Sequence, residues 1–408
     1  MNNSQLAFRE AILKSVKGGV DAYDVPNTPQ ARPMIRYRPP FIQTPAHDAK
    51  GDGIWIACEQ LMTKGIPYHL SICLAHHYIE NYKTQLKLEE EVEFIETVYN
   101  GIDGTYFCPQ VLKYIQEYLI KVDKGEIAPP EMPEAWDQWE YCYAVCKNKR
   151  PKMEDKMSAI PSLDLVKKGN TMSFFSVYDG HNGPEISSYL AAHFHHVLAS
   201  QTDGDINKIL NDAFLELDKR VTVRCEKEHL KSGSTVMSAI VTKEKVFLGW
   251  VGDSEAALYT KDGVRMLIKP HIPSDKNEND RIVACGGIII PIAGELRVCG
   301  VLNLTRSLGD TQGKPMISSD PDYVELEHAT TKHQNNILIL ASDGIWGSLN
   351  TKEIETIVDD FLATTTPEEY RQLAQTILNK AIEEGASDNL SIICVFLTPV
   401  AEVYANRT

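Results

Sequence analysis

No stretch of this sequence holds the roughly 18 consecutive apolar residues that a bilayer-crossing helix needs. Met1-Asn2-Asn3-Ser4-Gln5 has neither the basic start nor the apolar core of a secretory leader. The expectation is a cytosolic protein, with the nucleus as the alternative. Cysteine pairing is lacking too. Cys58, Cys73, Cys108, Cys142, Cys146, Cys225, Cys285, Cys299 and Cys394 are odd in number, scattered and without a CxxC pair, which reads as reduced thiols. Cys142 and Cys146 have no second Cys/His pair at suitable spacing, so a zinc site is disfavoured. Positive charge is short: 41 Lys and Arg face 56 Asp and Glu, a formal net charge of −15. Such a surface repels phosphate backbones and anionic lipids, which argues against nucleic acid or a membrane as the main partner.

What remains is a chain of 408 residues, long enough for a large domain plus a smaller one, or for two medium ones. Leu6, Phe8, Ile12, Leu13 and Val16 fall at helical spacing, and then Pro26, Pro29, Pro33, Pro39, Pro40 and Pro45 punctuate the chain. Residues 1–48 are therefore expected to be a flexible, proline-rich segment. Residues 49–138 carry helical patterns (Leu86, Leu88, Val92, Ile95 and Val98, then Val111, Leu112, Ile115, Tyr118 and Leu119) and are expected to form a small helical domain. Pro129-Pro130-Glu131-Met132-Pro133 reads as the linker that ends it. From residue 139 to 400 short β-rich runs alternate with helical stretches, with 401–408 as a tail. The spacing predicts a hairpin of Thr235–Val241 and Val246–Val251, helices over 185–198, 207–228, 277–284 and 367–384, and a last strand over 390–397. Strands mixed with helices in no regular βαβ repeat point to an α+β class with antiparallel sheets flanked by helices.

Two apolar runs end in Asp-Gly: Ser173–Tyr178 leads into Asp179-Gly180, and Ile337–Ser342 into Asp343-Gly344. A carboxylate at the end of a buried strand sits where the core opens to water, rigidly held and able to bind a hard cation. Asp-Gly is also ordinary turn chemistry, and it recurs at Asp52-Gly53, Asp103-Gly104, Asp203-Gly204 and Asp262-Gly263, where turns are expected. Company distinguishes the first two. Beside the strands lie Arg150-Pro151-Lys152-Met153-Glu154-Asp155, Asp179-Gly180-His181, Gly252-Asp253-Ser254, Arg306-Ser307-Leu308-Gly309-Asp310, Asp343-Gly344 and Asp388-Asn389.

In order and content these clusters resemble the metal-dependent type 2C Ser/Thr protein phosphatases, the PPM family, over residues 139–400. Ser232-Gly233-Ser234-Thr235, Cys285-Gly286-Gly287 and Lys314–Pro321 match as well. The long N-terminal extension looks most like the branch of the nematode Fem and calmodulin-kinase phosphatases, which implies that residues 49–138 bind regulatory partners. The resemblance implies an αββα sandwich of two antiparallel sheets and hydrolysis of phosphoserine or phosphothreonine in phosphoprotein substrates. It implies a hydroxide bridging two Mg²⁺ or Mn²⁺ ions as nucleophile. Oxygen-only ligands agree with those metals rather than zinc.

By resemblance, Asp179 bridges both metals, Asp343 and Asp388 hold one, and the Gly180 carbonyl helps hold the other. Glu154 and Asp155 act through bound waters or complete the shell. Arg150 clamps the substrate phosphate, since a guanidinium matches phosphate oxygens bidentately. His181 acts as general acid toward the departing Ser or Thr oxygen. Asn389 orients Asp388 or a bound water. Arg306 either touches substrate or forms a structural ion pair, and Gly309–Asp320 corresponds to a short flap beside the site. His193, His195 and His196, on the following helix, read as surface residues.

Two positions depart from the family pattern. A second Asp four positions after the metal Asp is Gly347 here, so a third metal, to which Asp253 would contribute, is expected to bind poorly, with Glu255 as a candidate substitute. The usual second Gly of Asp-Gly-His-Gly-Gly is Asn182, a residue that tolerates positive φ. The rival reading is a phosphatase-fold scaffold of weak or no turnover that binds signalling partners.

Overall fold

A computed structural model of the chain describes residues 8, 10–12, 43–88, 92–201, 204–328 and 336–406. It divides into two compact units at Glu134/Ala135. Most of the proline-rich segment lies outside the described residues, as do Leu6, Leu13 and Val16. Phe8 and Ile12 are helical and buried.

The first unit holds a two-stranded antiparallel ribbon, β1 (Gln43–Pro45) with β2 (Gly101–Asp103), and three helices, α1 (Ala49–Thr63), α2 (Tyr68–Leu86) and α3 (Gly104–Asp123). Residues 43–48, expected to be flexible, are thus a strand and a turn. The three helices pack on one another around buried Tyr78, Tyr82 and Tyr118, and the Tyr78 hydroxyl donates to the Val111 carbonyl at 2.8 Å. The periodic run through Leu88, Val92, Ile95 and Val98 is not helical. α2 stops because Lys87 turns left-handed (φ 60°), and the amides of Lys87 and Leu88 close back on the Thr84 and Lys83 carbonyls. Val92, Ile95 and Val98 are exposed.

The second unit is an α+β sandwich. In chain order it runs β3 (Glu140–Cys146), β4 (Lys156–Ile160), β5 (Ser173–Tyr178), β6 (Gly180–His181), α4 (Glu185–Ser200), α5 (Ile206–Glu228), β7 (Gly233–Ser234), β8 (Val236–Val241), β9 (Lys245–Val251), β10 (Glu255–Thr260) and β11 (Gly263–Met266). It continues with α6 (Lys276–Ala284), β12 (Ile289–Ile292), β13 (Glu295–Val298), β14 (Leu308–Gly309), β15 (Asp322–Glu327), β16 (Ile337–Ala341), α7 (Asp343–Trp346), α8 (Thr351–Thr364), α9 (Leu373–Glu383), β17 (Leu390–Phe396) and α10 (Val400–Ala405). The expected tail is partly this last helix, anchored by buried Val400 and Val403.

Two five-stranded antiparallel sheets, ordered β15-β9-β8-β5-β4 and β11-β10-β16-β17-β3, face each other. α4 and α5 cover the first sheet, and α8 and α9 the second. This sandwich explains why β5 and β16 read as unbroken apolar runs: both faces are buried. Neighbours in β5 point opposite ways. Phe174 meets Phe194 of α4 at 5.0 Å, while Phe175 meets Tyr141 of β3, in the other sheet, at 5.4 Å. The expected hairpin is β8–β9, paired Val241 to Val246.

The remaining Asp-Gly pairs differ from one another. Asp262-Gly263 is the β10–β11 turn, with Gly263 at φ 113°. Asp103 caps α3 by accepting from the Thr105 amide at 2.7 Å. Asp52-Gly53 lies inside α1, where packing overrides the turn preference of the dipeptide. Asp203-Gly204 falls partly outside the described residues.

Candidate active site

Strand register gathers the acids. Tyr178 at the end of β5 pairs with Lys156 at the start of β4, and Val177 pairs with Met237 near the start of β8. Val236 in turn pairs with Val251 at the end of β9. In the facing sheet, Ala341 at the end of β16 pairs with Glu255 at the start of β10 and with Ile392 near the start of β17, whose Leu390 pairs with Cys146 at the end of β3. All these ends lie at the same edge of the sandwich, so Asp155, Asp179, Asp253, Asp343 and Asp388 converge although they are scattered over the sequence.

Their electrostatics show the crowding. Burial raises Asp179 well above the usual carboxylate range, and Asp155, Asp343 and Asp253 raise it further. Asp155 is pushed up to about 7, first by burial and then by Asp343 and Asp388, against the opposing pull of the Ser342 and Ser391 hydroxyls. Asp253 also reaches about 7, by burial and Asp343, while Asp343 itself is raised by burial and Asp388. Clustered carboxylates destabilise one another unless cations neutralise them. Asp155 Oδ2 is buried without a hydrogen-bond partner. An oxygen-only donor set with an unpartnered buried oxygen fits hard divalent cations.

Around this core the chain places the other expected residues. Arg150 is 56% exposed and pairs through Nη2 with Asp388 Oδ2 at 2.5 Å. Its charge is favoured by Asp388, Asp343 and Asp179, which outweigh partial burial. Asn389 is a clamp: Oδ1 accepts from the Glu154 amide at 2.7 Å, and Nδ2 donates to the carbonyls of Lys147 (2.9 Å) and Lys152 (3.0 Å). Its backbone amide, not its side chain, bonds Asp388 Oδ1 at 2.7 Å. Gly180 pairs with Ser234, and a Cβ there would lie 2.5 Å from the Glu154 carbonyl oxygen and 2.7 Å from Ser187 Oγ. Asn182 has φ 57°. Glu255 is pushed to about 7 by burial.

Several contributors carried no role in the sequence reading. The Thr235 hydroxyl accepts from the Asp179 amide at 3.1 Å and bonds the Ser254 hydroxyl at 2.7 Å, which fixes the end of β5. The Ser187 hydroxyl donates to the Glu154 carbonyl. Asp310 Oδ2 lies 2.6 Å from His181 Nε2. Thr235 and Asp310 stand in stretches the family resemblance had marked, and that was the available signal.

Arg306 is structural: it bonds Glu278 through Nε (3.0 Å) and Nη2 (2.6 Å), the Asp320 carbonyl (2.8 Å) and Asp322 (3.0 Å). Gly309–Asp320, expected as a short flap, is tied down by α6. Arg281 of α6 binds the Met316 carbonyl at 3.1 Å, and Ile317 shares a small core with Ile282, Val298 and Leu304. His193 and His195 are buried, contrary to the surface expectation, because α4 is covered on nearly every face. His193 packs on the Tyr189 ring at 4.3 Å.

The sequence pattern of the family "Protein phosphatase 2C" matches residues 141–390. The chain belongs to the protein phosphatase 2C family. "Protein phosphatase fem-2" of Caenorhabditis elegans is 33% identical over 93% of this chain and 87% of its own length. Human "Protein phosphatase 1E" is 28% identical over 86% of this chain, which spans 46% of that protein. The solved "Structure of a C.elegans sex determining protein" aligns with 100% of this chain and 98% of its own at TM-score 0.87 and 27% identity. A Toxoplasma gondii serine-threonine phosphatase 2C, 21% identical, shares the fold over 65% of this chain at TM-score 0.55. Phosphatase 2C membership thus accounts for the fold of the second unit.

Proposed function

We propose that the chain is a metal-dependent protein serine/threonine phosphatase that hydrolyses phosphoserine and phosphothreonine in proteins. The observation that carries this is the convergence of Asp155, Asp179, Asp343 and Asp388 from facing sheets at one edge of the sandwich, with Arg150 beside them. Two Mg²⁺ or Mn²⁺ ions, when bound, supply the positive charge that neutralises phosphoryl oxygens and acidifies water for attack on phosphorus. Asp179, Asp343, Asp388 and the Gly180 carbonyl would hold them, with Asp155 and Glu154 completing the set. Arg150, exposed and charged, receives the substrate phosphate as a bidentate donor. His181 supplies a proton to the departing oxygen. Asn389 keeps Glu154 and the chain from Lys147 to Lys152 in place, and so keeps Arg150 near Asp388.

The N-terminal unit serves to recruit regulatory partners, a role supported by exposed Val92, Ile95, Val98 and Tyr106. Its cysteines, which form no disulfide among the described residues, favour the cytosol or nucleus.

Phosphothreonine-peptide hydrolysis with Mn²⁺ present or chelated, in wild type and Asp179→Asn, tests the proposal. Metal-dependent turnover that disappears in the variant is expected. A wild type without turnover at any metal concentration would leave the scaffold reading in its place.

A further inference from the structure

Asp310 is held in an unfavourable backbone state for a purpose the ring of acids does not explain. It is 6% exposed and left-handed (φ 45°, ψ 39°), a conformation that residues other than glycine adopt far less readily. Its Oδ2 accepts from the Ser307 hydroxyl at 2.5 Å and lies 2.6 Å from His181 Nε2. The three-stranded ribbon β6-β7-β14 makes this contact possible. His181 pairs with Gly233, and Gly233 pairs with Gly309, so the imidazole and the carboxylate meet across a residue without a side chain. A Cβ at Gly233 would lie 2.1 Å from Asp310 Oδ2 and 2.6 Å from His181 Nε2. Glycine is the residue that leaves the space in which the pair meets.

We propose that Asp310 is the positioning residue of His181, an assignment that rests on the phosphatase reading. An ionised carboxylate can only accept, so Nε2 carries a hydrogen toward Asp310 and the ring presents Nδ1 to the substrate. In the step this serves, the oxygen of a water bonds to phosphorus and the P–O bond to the serine or threonine side chain breaks. The departing oxygen takes the proton from Nδ1. One hydrogen of the water stays on the phosphate and the other restores the imidazolium, so atoms and charges balance. Asp310 touches no reacting atom; it fixes which nitrogen faces them.

The test compares a phosphothreonine peptide, whose alkoxide leaving group needs a proton, with p-nitrophenyl phosphate, whose leaving group does not. General acids contribute about 10²- to 10⁴-fold, so Asp310→Asn should lower kcat on the peptide at least about tenfold more than on p-nitrophenyl phosphate. His181→Gln should show the same split, and the double variant should fall no further than His181→Gln. In the metal-free protein, the imidazole ¹⁵N spectrum should show the Nε2–H form of His181 in wild type and lose that preference in Asp310→Asn. Equal losses on the two substrates, additive losses in the double variant, or an Nδ1–H form in wild type overturn the proposal. Should Asp310→Asn fail to fold, Ser307→Ala keeps the carboxylate, removes one of its bonds and should give a smaller split in the same direction. A wild type that hydrolyses neither substrate overturns the phosphatase reading instead, and the tautomer measurement still judges the pairing.

Discussion

Replacing Glu278 with glutamine should unseat the segment that carries Asp310. Glu278, on α6, has a side chain 5% exposed and accepts from Arg306, from Arg281 Nη2 at 2.9 Å and from the Thr305 hydroxyl at 2.6 Å. Burial alone would raise its pKa, yet hydrogen bonds from Arg306, Thr305 and Arg281 hold it down to about 2. Against the ordinary value of 4.5, that depression corresponds to about 3 kcal/mol of stability. Because the folded value is lowered, the contribution is complete above about pH 4.5 and is lost as pH falls toward 2. Glu278→Gln also takes from Arg281 and Arg306 the carboxylate they share, leaving Asp322 beside Arg306, so the loss at neutral pH should be about 3 kcal/mol. Urea denaturation of wild type and variant at neutral pH and near pH 3 measures it. The gap should narrow by about 2 kcal/mol on acidification, and a gap that stays constant refutes the linkage.

Gly180→Ala should push the Glu154 carbonyl away from β6, cost about 1–3 kcal/mol in urea titration and lower kcat about 100-fold; wild-type kinetics would sink the close-packing argument. Gly347 has an ordinary helical backbone (φ −74°), and the neighbour a Cβ would meet is the Asp343 carbonyl oxygen at 3.0 Å. Gly347→Asp should therefore fold and reach half-maximal activity at lower Mn²⁺, and superimposable metal titrations would count against it. In the metal-free protein the folded forms of Asp155 and Asp253 keep protons up to about pH 7 that the unfolded chain releases near 4. Stability should fall across that window, and millimolar Mg²⁺ should raise the thermal midpoint more at pH 7.5 than at pH 5; a midpoint that rises with pH in chelator contradicts the sign.

Much of the sandwich was legible because its central strands are buried on both faces, so β5, β16 and β17 read as apolar runs closed by Asp-Gly or opened after Asp-Asn. α8 escaped notice although Asn350 and Glu353 form a capping box ahead of Ile354, Val358 and Phe361. The run through Val98 deceived in the other direction: its period suits a helix, but a left-handed Lys87 ends α2, and Val92, Ile95 and Val98 beyond it are exposed. In the site, the acids were readable because each sits at a strand end. Thr235, Ser187 and Asp310 were not, since each acts through a partner far away in sequence, and no local spacing encodes a hydrogen bond from residue 181 to residue 310.

The pairing of β3 with β17 sets a constraint on biosynthesis. Arg150 and Asp388 are 238 residues apart, and the Asn389 clamp that steadies the chain around Arg150 lies next to the latter. A nascent chain halted before β17 leaves the ribosome has neither, and its edge strand β3 exposes an unpaired row of amides and carbonyls. The catalytic edge thus cannot assemble piecemeal during translation. A newly made chain should stay inert toward phosphoproteins until synthesis has passed β17, and a truncation that removes β17 leaves β3 without its strand partner and Asp388 without the strand that positions it.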